Sequence, residues 1–69
     1  MDLVETGRKL KLIALNRGLR TKDLANILGI TEWTLSKYFR GERLPDITTL
    51  IRLSAVFHMR IDSLLVMEE

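Results

Sequence analysis

Trp33, Ser36, Lys37 and Arg40 recur at spacings of three and four between Thr31 and Gly41. On a helix that spacing places all of them along one side. The side combines an indole, a hydroxyl and two cations. Cations meet phosphate oxygens and the accepting edges of bases, an indole packs on flat apolar surface, and a hydroxyl serves either partner. The chemistry is therefore binding, and the partner it suits is a polyanion. The other residues of the segment, Thr31, Leu35, Tyr38 and Phe39, fall on a core-facing side.

Catalysis finds no support in the residue pattern. There is no carboxylate pair, no nucleophile beside a base and no phosphate-cradling glycine loop, and 69 residues leave little room for a water-excluding pocket. An enzyme is not expected, nor is a small-molecule site. Cysteine is absent and His58 is the single histidine, so a disulfide framework, a zinc cluster or any other metal or cofactor centre is not expected. No apolar run approaches the roughly 20 residues of a membrane span, and no signal-peptide pattern opens the chain, which makes the cytoplasm the default compartment.

A chain of this length has material for one core, so residues 1–69 are expected to form a single domain, with Met67, Glu68 and Glu69 frayed. Net charge is only +2, but it is unevenly spread. Nine basic residues (Arg8, Lys9, Lys11, Arg17, Arg20, Lys22, Lys37, Arg40, Arg43) stand against three acidic ones between Arg8 and Arg43. The two ends together carry two basic and six acidic residues. A basic stretch of this kind is the electrostatic footprint of nucleic-acid binding, although a plain solvated face has the same composition.

Helices must position these side chains, since apolar residues repeat with helical period and no strand pattern competes. Asp2 to Arg17 places Leu3, Thr6, Leu10, Ile13, Ala14 and the stem of Arg17 on one stripe. Gly7 weakens its first half by about 1 kcal/mol relative to alanine, which puts the ordered start near Thr6. Gly18 stops this helix. Thr21 is the expected cap of a second helix reaching Leu28, with Leu24, Ala25 and Leu28 inward, and Gly29 turns the chain. Thr31 caps a third helix ending before Gly41. Asp46, after Pro45, caps a fourth with Ile47, Leu50, Leu53, Ser54 and Phe57 on one face. After a break at His58 to Arg60, Ile61 to Leu65 form a short fifth helix.

This is an all-α reading of five short helices, with a helix-turn-helix at the second and third. On Leu24-Ala25, Leu28-Gly29-Ile30, Leu35, Tyr38, Gly41, Pro45, Leu50, Leu53, Phe57, Ile61 and Leu64 the chain resembles the Xre-type helix-turn-helix domains, the family of the phage lambda-type repressors and Cro proteins. The resemblance runs from about Leu10 to Leu65 without insertions. It implies a compact lambda-repressor-like domain that binds double-stranded DNA at a palindromic operator, as a homodimer, to regulate transcription as a repressor. By position it makes Thr31, Glu32, Trp33, Ser36 and Lys37 the base-reading residues of a recognition helix, about 31–40, in the major groove. Thr21, Lys22, Arg40 and Arg43 become phosphate contacts, and Met59, Ile61, Leu64 and Leu65 the dimer interface. Lys37 suits a guanine, Trp33 a thymine methyl or a sugar. Glu32 is open between reading cytosine, complementing the helix dipole and repelling wrong sequences.

The chain departs from the family pattern at three places. Thr21 stands where glutamine is common. Phe39 and Ala14 stand where many relatives pair a glutamate with an arginine, and an apolar pair of similar volume is an acceptable replacement for a buried ion pair. His58 stands at the usual helix-ending glycine and is expected as a strained cap rather than a ligand or base. Val4, Leu12 and Leu15 form a surplus apolar stripe, covered either by Leu65, Val66 and Met67 or by a partner. The competing function is a protein-interaction module on the same scaffold, such as a toxin-neutralising antitoxin, or the DNA-binding part of a longer regulator.

Overall fold

Side chains start three of the helices, and left-handed residues stop four of them. The computed structural model describes residues 1–68. Asp2, Thr31 and Asp46 accept the amides of Glu5, Thr34 and Thr49 at 3.0, 3.0 and 2.8 Å. They open α1 (Leu3–Asn16), α3 (Glu32–Phe39) and α4 (Ile47–Phe57). The Thr49 amide, and after it the Thr49 hydroxyl, hold the Asp46 carboxyl below the usual carboxylate range. α2 (Thr21–Leu28) and α5 (Ile61–Leu64) begin at Arg20 and Arg60 without a side-chain cap. Thr21 is thus the first helical residue and not the expected cap. The helix starts a residue early because the Arg20 carbonyl already accepts the Leu24 amide at 2.9 Å.

At the far ends, Gly18, Gly29 and Gly41 take φ of 68, 71 and 71°, and His58 takes 54°. Past each of them the next amide reaches back into the helix: Leu19 to Ala14, Ile30 to Ala25, Glu42 to Lys37 and Met59 to Ser54, at 2.9, 3.0, 3.0 and 3.1 Å. This is one closure used four times, and it satisfies carbonyls that a helix end leaves open. His58 adopts it at a steric cost that glycine does not carry. Two arginines satisfy further carbonyls of this kind. Arg17 Nη1 donates to the Phe57 carbonyl and Arg52 Nη1 to the Leu28 carbonyl at 2.8 Å, each at the last residue of a helix. The Arg17 guanidinium also lies 5.8 Å from the centre of the Phe57 ring.

The five helices enclose one core, and among the described residues there is no strand. It consists of Leu10 and Ala14 of α1, Leu24, Ala25 and Leu28 of α2, Leu35 and Tyr38 of α3, Leu53 and Phe57 of α4, and Leu64 of α5. Phe39 packs half-buried against the cluster that holds the buried Ala14, so both members of the apolar pair belong to one core. No described helix is long and apolar enough to cross a membrane.

Several sequence expectations need correction. Ile47 is 64% exposed, because α4 turns Thr49 inward beside Leu50 instead. Thr31 is exposed as a cap and contributes nothing to the core face of α3. Val4, Leu12 and Leu15 stay open to solvent, and so does Met67, so the C-terminal residues do not cover that stripe. Those residues instead tie to the start of α1: the Asp2 amide donates to the Val66 carbonyl at 2.7 Å and the Val66 amide to the buried Thr6 hydroxyl at 3.0 Å. The expected fraying at Glu69 lies outside the described residues.

Gly7 is the largest reversal. The helix does not wait for Thr6 but begins at Leu3, and Gly7 is buried within it. A Cβ at Gly7 would lie 2.3 Å from the Tyr38 carbonyl oxygen and 2.6 Å from that of Phe39. From the other side, a Cβ at Gly41 would lie 2.5 Å from Val4 Cα. The backbones of α1 and of the end of α3 therefore touch.

Two substitutions separate this packing from helix propensity. Propensity alone gives Gly7→Ala a gain of about 1 kcal/mol; overpacking against two carbonyls makes it a loss of about 2 kcal/mol or more in urea unfolding. His58→Gly, in contrast, should raise stability by about 0.5–1 kcal/mol, the left-handed penalty less the extra chain entropy of glycine.

Candidate nucleic-acid interface

α3 is eight residues long, too short to be stable alone, so its ends and its inner side must hold it. At the start Thr31 accepts the Thr34 amide, and its hydroxyl bonds that of Thr34 at 3.0 Å. Leu35 and Tyr38 anchor the inner side. At the end the Gly41 closure fixes the backbone against α1. Apart from Phe39, which packs half-buried on the core, what remains of α3 faces away from it.

That remainder contains the expected base-reading set. Glu32 is exposed in the first turn, Trp33 is 67% exposed, and Ser36 and Lys37 are half-buried. Lys37 Nζ lies 3.9 Å from the centre of the Trp33 ring. This is a cation–π contact, favourable by roughly 0.5–1 kcal/mol at an exposed site. It orders both side chains on one side of the helix, and the i, i+4 spacing of Trp33 and Lys37 in the sequence is the signal that could have found it.

The expected phosphate-contact residues surround this face. Arg40 is the C-cap of α3 and its guanidinium pairs with the Glu42 carboxylate. That pairing, together with the field of Lys37, holds the Glu42 carboxyl below the usual carboxylate range. Arg43 is exposed one residue on. Lys22 is exposed and Thr21 half-buried in the first turn of α2, whose leading amides meet no side-chain acceptor. Arg20 there pairs with Asp23 at 3.1 Å. Glu42 and Thr34 are the participants that sequence reasoning missed. Of the expected dimer residues, Met59, Ile61 and Leu65 are half-buried, whereas Leu64 is fully buried within the chain. Leu64 is a core residue and has no surface to offer a partner.

Comparison with known proteins identifies the scaffold that carries this face. The family described as helix-turn-helix matches residues 10–64. A prophage-derived HTH-type transcriptional regulator of Bacillus subtilis, YonR, is 36% identical over 59 residues, covering 86% of this chain and 55% of that protein. An HTH-type transcriptional regulatory protein of Pyrococcus horikoshii is 37% identical over 51 residues, covering 74% of this chain and only 16% of that protein. The chain thus spans about half or less of the curated relatives it matches.

Among solved structures, a transcriptional regulator from Listeria innocua superposes with TM-score 0.82 at 35% identity, covering 93% of this chain and 62% of that one. The restriction-modification controller protein C.AhdI from Aeromonas hydrophila superposes with TM-score 0.84, covering 93% and 97% of the two chains. At 23% identity that likeness concerns the fold. The chain belongs to the Xre-like helix-turn-helix family of DNA-binding transcriptional regulators. It is a family of regulators and not of enzymes.

Proposed function

We propose that this chain is the DNA-binding unit of a transcriptional repressor, with α3 in the major groove of a duplex operator. The observation that carries the reading is the outward face of α3, where the exposed Trp33 and the Lys37 ammonium are held together. Lys37 donates to guanine O6 and N7, Trp33 packs on a thymine methyl or a sugar, and Thr31, Glu32 and Ser36 contact neighbouring base edges. Arg40, Arg43, Lys22 and Thr21 grip phosphates, the last two beside the uncapped amides that open α2.

A helix this short reads few base pairs, so a homodimer on a palindromic operator is part of the proposal, with recognition helices about 34 Å apart. Met59, Ile61 and Leu65, which keep part of their surface open around α5, are the residues proposed to meet the second copy. Repression follows from occupying the site, in the cytoplasm of a bacterial or phage-type host. The short span of this chain against its curated relatives supports a second arrangement, in which the same domain is part of a longer regulator. The exposed Val4, Leu12 and Leu15 stripe supports an additional protein partner such as a toxin.

Selection of bound duplexes from random DNA, followed by titration at several salt concentrations, tests this reading. The expected result is a palindromic consensus and affinity that falls steeply with salt. Lys37→Ala should weaken binding to the selected duplex by about 1–3 kcal/mol and relax the consensus at one position per half-site. A chain with no preference among duplexes would favour the interaction-module reading.

A further inference from the structure

The Glu42 carboxylate lies in the wrong place for a chain that only needs to attract DNA. It is the one acid between Lys37 and Arg43, and it stands among three cations, Lys37, Arg40 and Arg43. Its position is fixed by the backbone. The Glu42 amide donates to the Lys37 carbonyl at 3.0 Å and the Gly41 amide to the Tyr38 carbonyl at 3.1 Å, while Gly41 is pressed against α1 at Val4. From that fixed turn the carboxylate reaches back to the Arg40 guanidinium, and both side chains remain about half exposed. The turn therefore presents to solvent an arginine already engaged by an oxyanion.

We propose that Glu42 is an internal competitor for the phosphate backbone: it occupies Arg40 in the free protein and must release it when a duplex docks. The inference rests on the DNA-binding reading above. A carboxylate and a phosphate offer a guanidinium the same bidentate chemistry, so one can replace the other. The exchange has one consequence: binding is weakened by the pair that must open, and this cost does not depend on base sequence, because phosphates carry none. Glu42 thus sets the overall level of affinity and leaves the preference among sequences to Trp33, Ser36 and Lys37. As a carboxylate, this competitor is charged through the neutral range.

The test is Glu42→Gln, a change at an exposed position that keeps the side-chain length and the backbone turn. Thermal melting of both proteins serves as the folding control. Binding is measured by fluorescence anisotropy on two duplexes of equal length, one selected by the protein and one scrambled, across a series of salt concentrations. The expected result is tighter binding to both, by the same factor of roughly two- to five-fold, the scale of one exposed ion pair. The slope of log affinity against log salt should stay the same, since Arg40 meets a phosphate in both complexes. Unchanged or weaker binding would overturn the proposal, and so would a slope steeper by about 0.9, since Arg40 would then reach a phosphate only in the variant. A gain confined to one of the two duplexes would also overturn it, since Glu42 would then be sensing bases. If neither protein binds either duplex, the DNA-binding reading itself fails, and the competitor with it.

Discussion

At the crossing of α1 with the end of α3 there is no room for a single methyl group. Gly7 meets the Tyr38 and Phe39 carbonyls, and Gly41 meets the backbone of Leu3 and Val4. Close backbone approach is what glycine permits and every other residue prevents. The contact does more than bring two helices near each other. It fixes the last turn of α3, and through the Gly41 closure it fixes where Arg40, Glu42 and Arg43 stand. The C-terminal segment joins the same place, since Thr6 beside Gly7 accepts the Val66 amide. The start of the chain, its end and the end of α3 therefore form one joint.

From that joint outward, α3 is divided between two roles. Its inner residues, Leu35 and Tyr38, belong to the common core, and they hold the helix at a set rotation. Its outer residues are free of intramolecular duty apart from ordering each other, as Lys37 does over Trp33. Preorganised side chains lose less freedom on binding, which favours affinity without any new contact. The acids placed among the cations work in the opposite direction. Glu42 holds Arg40, and Asp23 holds Arg20, so the local basic charge of the sequence is only partly available to a polyanion. A count of basic residues alone overstates what the surface presents.

The helices are legible in the sequence because their ends are chemically marked. Thr31 and Asp46 open helices, and Gly18, Gly29, Gly41 and His58 close them, as local rules require; the Asp2 cap is the exception, since Gly7 pointed to a later start. The outward face of α3 is legible too, since Trp33, Ser36, Lys37 and Arg40 recur at helical spacing with side chains that the core cannot use. What the sequence hides is whatever depends on how far apart two elements pack. Gly7 looks like a weak point because propensity is a property of one helix, while its role belongs to a pair. Ile47 and Thr49 flank the inner face of α4 at similar angles, and a helical wheel favours isoleucine; the packing chooses threonine, whose amide is bonded to Asp46. Leu64 reads as a surface residue because a four-residue helix has no resolvable face. Arg17 and Arg52, bonded to carbonyls 40 and 24 residues away, carry no sequence signal for those contacts.

The chain holds a single tryptophan, and it lies on the face that this account gives to DNA. Its fluorescence therefore reports on that face alone. Titrating the protein with its selected duplex at low salt should move Trp33 out of water, changing its emission in a saturable manner. Raising the salt should reverse the change along with binding. Saturable binding seen by another method, with Trp33 emission and quencher access unaltered, would place the duplex elsewhere on the protein and contradict the account.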